Sequence, residues 1–138
     1  MQLFRQNPIV YIIILIVLFV IFNYFYKNLN RYDKNDANVM VFFDFNKYEL
    51  NQQNIMTLQQ FFSNRNKQYN NIIIIGHADH VGSEKTNLRF GYLRSLDVMQ
   101  WLNQIGVNAA EFTIISKGYS DPVGSDPKLN RSVEIHLS

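Results

Sequence analysis

The hydrophobic and polar positions of the chain fall into three stretches. Residues Ile9–Phe22 are apolar throughout, and no charged residue occurs between Gln6 and Tyr26. A polar, asparagine-rich stretch follows over residues 27–38. From Val39 onward, short apolar runs alternate with polar ones, which is typical of a folded domain built from strands and amphipathic helices.

The first stretch predicts a membrane anchor at residues 1–26, with a transmembrane helix over about residues 8–26. Such a helix would be about 28 Å long, close to the roughly 30 Å of a hydrocarbon core. Pro8 suits a first helical turn. A cleaved signal peptide is the alternative, but no cleavage site of small residues follows the apolar run. Residues 27–38 are predicted to be a linker and residues 39–138 the folded domain.

The pattern from residue 39 onward predicts the order β-α-β-α-β-β, an α/β two-layer sandwich (α+β) with its helices on one face of the sheet. Asn51 is expected to cap a helix that runs to about Asn66, and Gly106 to end the next helix. The alternation of the last strand places His136 on its outward face. The four predicted strands are Val39–Phe43, Ile72–Ile75, Phe112–Ser116 and Ser132–Leu137.

Composition and charge exclude several classes of function. The chain of 138 residues has no cysteine, which excludes disulfides and thiol chemistry. The formal net charge is +2, and residues 39–138 carry nine basic and nine acidic side chains. A neutral domain gives no support to nucleic-acid binding. One Lys or Arg precedes the apolar run and three follow it, which by the positive-inside rule favours a cytoplasmic domain.

The loop after the second predicted strand carries the candidate chemistry. It reads Gly76-His77-Ala78-Asp79-His80-Val81-Gly82, and Arg94 follows in the next helix. Loops at the carboxyl ends of strands are common ligand sites in α/β sheets. Asp79 could receive an ammonium group, and Arg94 could bind a carboxylate. A plain ion pair between Asp79 and Arg94 that orders the loop is the alternative.

The sequence gives little support to metal binding or to hydrolase chemistry. His77, Asp79 and His80 are plausible metal-ligand types, but neighbouring loop residues point in different directions, and we predict no metal ion and no cofactor. No serine lies in a nucleophile elbow, and no carboxylate pair follows the logic of a glycosidase. We therefore predict no catalytic residues and no enzyme activity.

Residues 41–138 resemble the OmpA-like C-terminal domain, a non-catalytic peptidoglycan-binding module of bacterial envelopes. The stretch from Gly76 to Gly82 matches the family's G-H-[AT]-D-x-x-G signature. Arg94-Ser95 lies in the N-x-x-L-x-x-x-R-A helix pattern, and Asn130-Arg131 opens N-R-R-V-E, with Ser132 in place of the second arginine. The other matching elements are Phe43-Asp44-Phe45-Asn46, Asn87, Gly106-Val107 and Ser116-x-Gly118 with Pro122.

The resemblance implies that the domain binds the diaminopimelate of the peptidoglycan stem peptide. Asp79 would take the ammonium group and Arg94 the carboxylate. The remaining site residues that the resemblance implies are Ala78, Asn87, Asn46 and Arg131. Ser132 removes one cation near the site, which would weaken the affinity.

The resemblance also implies a location in the bacterial inner membrane, with one transmembrane pass and the C-terminal domain in the periplasm, against the charge count. The expected partners are peptidoglycan, the lipid bilayer and other proteins of a membrane complex, without nucleic acid. An anchor followed by this module is similar to flagellar stator B subunits, but the apolar run lacks their acidic residue, which favours a secretion-type complex. The alternative function is an assembly subunit whose OmpA-like domain binds a protein partner instead of the wall.

Overall fold

A computed structural model describes residues 8–29, 38–65 and 67–138 and divides the chain into two units at residue 33. The first unit contains helix α1, Pro8–Leu29. The described side chains between Val10 and Tyr24 are exposed. The first residues of the predicted anchor (1–7), most of the predicted linker (30–37) and Asn66, the expected end of a helix, lie outside the described residues.

The predicted location is corrected by the structure. In the three described ranges, no helix combines the length and the apolar character needed to cross a membrane. A span needs about 20 consecutive, mostly apolar residues. In α1 the unbroken apolar run ends at Phe22, and Asn23, Lys27 and Asn28 follow within the same helix. The prediction of a single-pass inner-membrane protein is therefore wrong.

The second unit holds a four-stranded sheet in the order β1-β4-β2-β3. Its strands are β1 (Val39–Phe42), β2 (Gln68–His77), β3 (Asn108–Gly118) and β4 (Ser132–Leu137). β4 runs antiparallel to both of its neighbours, whereas β2 and β3 are parallel. The carboxyl ends of β1 and β2 and the start of β4 therefore lie at one edge of the sheet.

The helices of this unit are α2 (Gln52–Phe62), α3 (Glu84–Gln104) and the single-turn α4 (Pro127–Asn130). The core joins apolar side chains of β1, β2 and β4 to those of α2 and α3; its fully buried members include Leu58, Ile72, Ile74, Leu102, Val133 and Ile135. The predicted α/β fold is thus confirmed.

The observed elements refine the predicted bounds. Asn51 caps α2 by accepting a hydrogen bond from the Asn54 N–H, and Gly106 follows α3 with a φ of 81°, both as expected. α3 begins at Glu84, earlier than expected, because Ser83 accepts a hydrogen bond from the Thr86 N–H. α4, which Asp126 caps, was not predicted.

Two glycines allow α3 to approach the sheet closely. A Cβ on Gly76 would collide with the carbonyl oxygen of Gly91, and a Cβ on Gly91 would lie 2.8 Å from the carbonyl oxygen of Gly76. β2 and α3 therefore meet backbone to backbone. The contact fixes the height of α3 over the end of β2, where the candidate loop begins.

This contact predicts that Gly91→Ala lowers stability, although Gly→Ala in an ordinary helix raises it by about 1 kcal/mol. Overpacking against Gly76 should cost about 1–3 kcal/mol of unfolding free energy, measured by chemical denaturation. Asn103→Ala, at an exposed position of the same helix, is the control and should be neutral or slightly stabilising. A Gly91→Ala variant as stable as the control would contradict the close packing.

Candidate functional site

A cleft of about 210 Å³ lies at the sheet edge where β1 and β2 end and β4 begins. The structure brings together in its lining all six residues that sequence analysis singled out: Asp79, Arg94, Ala78, Asn87, Asn46 and Arg131. Three of the charged groups of the domain thus meet at one small opening, and they come from three separate segments of the chain.

The Arg94 guanidinium is buried and holds two chain segments together. Its Nε donates to the carbonyl oxygen of Lys47 at 2.9 Å, and its Nη1 donates to the carbonyl oxygen of His77 at 2.9 Å. The rings of Phe43 and Phe90 lie 5.4 and 5.3 Å from its central carbon. Within the described part of the chain, Nη2 makes no hydrogen bond, so this nitrogen is left for a ligand.

Burial changes the acidity of this guanidinium without discharging it. Desolvation lowers the pKa of Arg94 from 12.5 to about 10; the charge of Asp79 acts in the opposite direction, and that of Arg131 lowers the pKa further. At neutral pH the group is still a cation. A buried cation with an unused N–H is suited to bind a carboxylate.

Asp79 pairs with Arg131 and not directly with Arg94. Its Oδ2 lies 3.0 Å from Nη1 of Arg131, and its Oδ1 accepts a hydrogen bond from the Val81 N–H at 3.1 Å. Arg131 also donates through Nε to the carbonyl oxygen of Phe43 at 3.1 Å. The plain Asp79–Arg94 ion pair considered in the sequence analysis is therefore replaced by an Asp79–Arg131 pair that joins the residue before β4 to the loop.

The other predicted residues contribute to the cleft in different ways. Ala78 is held by its backbone N–H, which donates to the Gly118 carbonyl at 2.8 Å. Asn87 is buried in the first turn of α3, and Asn46 is exposed with a φ of 56°. Ser132 is fully buried and does not line the cleft.

A buried cluster centred on Glu134 includes His77, which directly precedes the cleft residues Ala78 and Asp79 in the chain. Glu134 Oε1 lies 2.6 Å from His77 Nε2, and Glu134 Oε2 lies 3.2 Å from His136 Nε2. His136 was expected on an outward face, but β4 is an inner strand of the sheet and both of its faces are buried. Because the His77 carbonyl accepts from Arg94, this cluster fixes a residue that also supports the cleft.

The acidity of Glu134 reflects these contacts. Burial alone would raise the pKa of the carboxyl group, but hydrogen bonds from His136 and His77 and their charges together lower it from 4.5 to about 2. The carboxylate therefore stays ionised inside the sheet over most of the pH range. Each of its two oxygens lies against one imidazole ring.

The three candidate metal ligands of the loop diverge in the structure. His77 contacts Glu134, Asp79 contacts Arg131, and the His80 ring lies 5.8 Å from that of Tyr119. Over residues 8–29, 38–65 and 67–138, no group of three or more acidic, histidine or cysteine side chains could hold a metal ion.

Two of the groups that surround the Arg94 guanidinium were not predicted from the sequence. Phe90 lines the cleft, and together with Phe43 it covers the guanidinium of Arg94. The carbonyl oxygen of Lys47 is the second missed group. Phe43 and Phe90 can be recognised in the sequence as aromatic residues. The type of residue 47, in contrast, does not indicate that its backbone carbonyl accepts a hydrogen bond from Arg94, 47 residues away.

The fold and the cleft define a small α/β binding module with a charged site at the carboxyl end of a strand. Residues 42–135 match the OmpA family, and the chain belongs to that family. This confirms the resemblance seen in the sequence. No curated protein is significantly similar to the chain in sequence.

Solved structures share the fold. The peptidoglycan-associated lipoprotein of Burkholderia pseudomallei is 29% identical with a TM-score of 0.61, and the match covers 72% of this chain and 89% of that one. The C-terminal domain of Helicobacter pylori MotB is 24% identical with a TM-score of 0.57, covering 70% and 82%. The OmpA-like domain of FopA1 from Francisella tularensis is 23% identical with a TM-score of 0.56, covering 72% of each chain. The last two similarities concern the fold alone.

The buried Glu134 predicts a specific acid sensitivity. Because its pKa is lower in the folded chain than in the unfolded one, its stabilisation is complete above about pH 4.5 and is lost as the pH falls toward 2. We expect the free energy of unfolding to drop by about 3 kcal/mol over that interval. Glu134→Gln should flatten this part of the pH profile, measured by denaturation at each pH.

Glu111→Gln is the matched control, because Glu111 is exposed on the sheet-edge strand β3. This variant should keep the wild-type profile between pH 2 and 4.5. An equally steep profile in Glu134→Gln would show that the buried cluster does not set the acid sensitivity.

Proposed function

We propose that the domain is a non-catalytic peptidoglycan-binding module that recognises the diaminopimelate of the stem peptide. The observation that carries the proposal is the convergence of Asp79, Arg94 and Arg131 on one cleft. Membership of the OmpA family and similarity to a peptidoglycan-associated lipoprotein support the same function.

The charges of the cleft fit the end group of diaminopimelate, which carries an ammonium and a carboxylate on one carbon. The carboxylate would accept a hydrogen bond from the unused Nη2 of Arg94, and the ammonium would contact Asp79. Because Asp79 is already paired with Arg131, the ammonium would share the carboxylate with that guanidinium or displace it. The ligand carboxylate would then also be attracted to Arg131.

A second candidate function, a structural assembly subunit that binds a protein partner, is favoured by the same ion pair. With Arg131 at 3.0 Å, the carboxylate of Asp79 is neutralised without any ligand. We place the wall-binding function first because that ion pair leaves Nη2 of Arg94 unused. In either case we propose that the domain serves a larger envelope complex, of which a secretion-type machine is the specific candidate.

The proposed function predicts that Asp79→Asn weakens binding to a stem peptide containing diaminopimelate by at least about thirtyfold, since a charged contact in a partly buried site is worth about 2 kcal/mol or more. Titration calorimetry with the full-length chain measures this. Asp126→Asn is the control: Asp126 is exposed outside the cleft, and asparagine caps a helix as well as aspartate.

The ligand itself supplies a second control. A stem peptide with lysine in place of diaminopimelate lacks the terminal carboxylate. We expect the wild-type chain to bind this lysine peptide as weakly as the Asp79→Asn variant binds the diaminopimelate peptide. Equal affinity for both peptides would overturn diaminopimelate recognition. Binding of neither peptide, together with Asp79-independent capture of a defined protein partner, would favour the assembly subunit.

A further inference from the structure

A second groove borders the candidate cleft. The loop His80–Glu84 and the turn Lys117–Ser120 lie on its two sides, and Asn87 and Leu88 of α3 lie between them. Its volume of about 310 Å³ is at the lower end of the range for small-molecule clefts. Gly82 and Asn87 line both the groove and the cleft, so the two openings adjoin.

The turn Lys117–Ser120 is held firmly in place. The backbone N–H and the hydroxyl of Ser120 both donate to the Lys117 carbonyl, at 2.9 and 2.7 Å. Gly118 has a φ of 51°, and a Cβ there would lie 3.2 Å from the backbone nitrogen of Leu88. The turn therefore packs directly on α3, and the backbone that carries Tyr119 is fixed.

An aromatic pair joins the two sides of the groove. The rings of Tyr119 and His80 have centroids 5.8 Å apart and planes inclined by 57°. Tyr119 nevertheless remains 44% exposed. An exposed aromatic ring on a fixed backbone offers an apolar surface on which a ligand ring can stack at low entropic cost.

The groove carries no excess positive charge. Nζ of Lys117 lies 3.0 Å from Oδ2 of Asp121, and Glu84 adds an acidic group at the other side. A groove without excess cation does not select the carboxylates of the stem peptide. It suits a neutral ligand that combines an apolar ring face with hydroxyl and amide groups, for which Ser120, Glu84 and Lys117 offer hydrogen-bonding partners.

We propose that this groove is a second subsite, which binds a neutral N-acetylated sugar ring of the glycan strand while the cleft holds the stem peptide. The inference rests on the proposed peptidoglycan-binding function. Because the two openings share Gly82 and Asn87, adjacent parts of one ligand would reach both. Tyr119 provides the stacking surface.

The test compares two probes on the full-length chain by calorimetry: a disaccharide-tripeptide containing diaminopimelate and the same tripeptide without sugars. The wild-type chain should bind the disaccharide-tripeptide more tightly. Tyr119→Ala should weaken that probe by about 2- to 10-fold and leave the sugar-free tripeptide unchanged, as expected for loss of one stacking contact. Tyr119→Phe should keep the wild-type affinities, because it keeps the ring.

Tyr92→Ala is the matched control, since Tyr92 is equally exposed on α3 but lines neither opening. Equal wild-type affinity for both probes would overturn the sugar subsite while leaving the proposed function intact. Equal weakening of both probes by Tyr119→Ala would also overturn it, because the ring would then act through the cleft. Failure of the wild type to bind either probe would instead count against the proposed function.

Discussion

The site depends on one constraint, the burial of a guanidinium at the end of the sheet. Removing Arg94 from water is costly unless its N–H groups are satisfied. The chain meets this demand with backbone carbonyls of Lys47 and His77, which fixes the segment after β1 and the end of β2 around a single side chain. The rings of Phe43 and Phe90 lie next to the guanidinium and help to exclude solvent from it. The position of the candidate cleft follows from this arrangement.

The signature Gly76-His77-Ala78-Asp79 can be explained residue by residue within that arrangement. The missing side chain of Gly76 admits α3, and the ring of His77 pairs with Glu134 while its carbonyl accepts from Arg94. The backbone of Ala78 is bonded to β3. Only Asp79 directs a charged side chain to the cleft. Three of the four positions thus shape the support for the fourth.

Much of the fold was predictable because it depends on local patterns. The run Ile72–Ile75, the Asn51 cap and the left-handed Gly106 follow from residue types alone, and each was confirmed. The early start of β2 at Gln68 was not predictable, because Asn71 pairs with the chain end at Ser138 through backbone groups. In the same way, an alternating pattern shows which face His136 occupies but not that this face is buried.

The sequence predicted which residues form the cleft, but not which of their charged side chains form an ion pair. Residue types and family patterns identified the six residues of the cleft, whereas the ion pair considered for Asp79 was with Arg94, 15 residues away, and its partner is Arg131, 52 residues away. Backbone carbonyls accept from Nε and Nη1 of Arg94, and the carboxylate of Asp79 binds the second arginine. Two cations around one anion leave the cleft with a surplus positive charge. A ligand that brings both an ammonium and a carboxylate offers one partner to Asp79 and another to an arginine, which a simple amine cannot do.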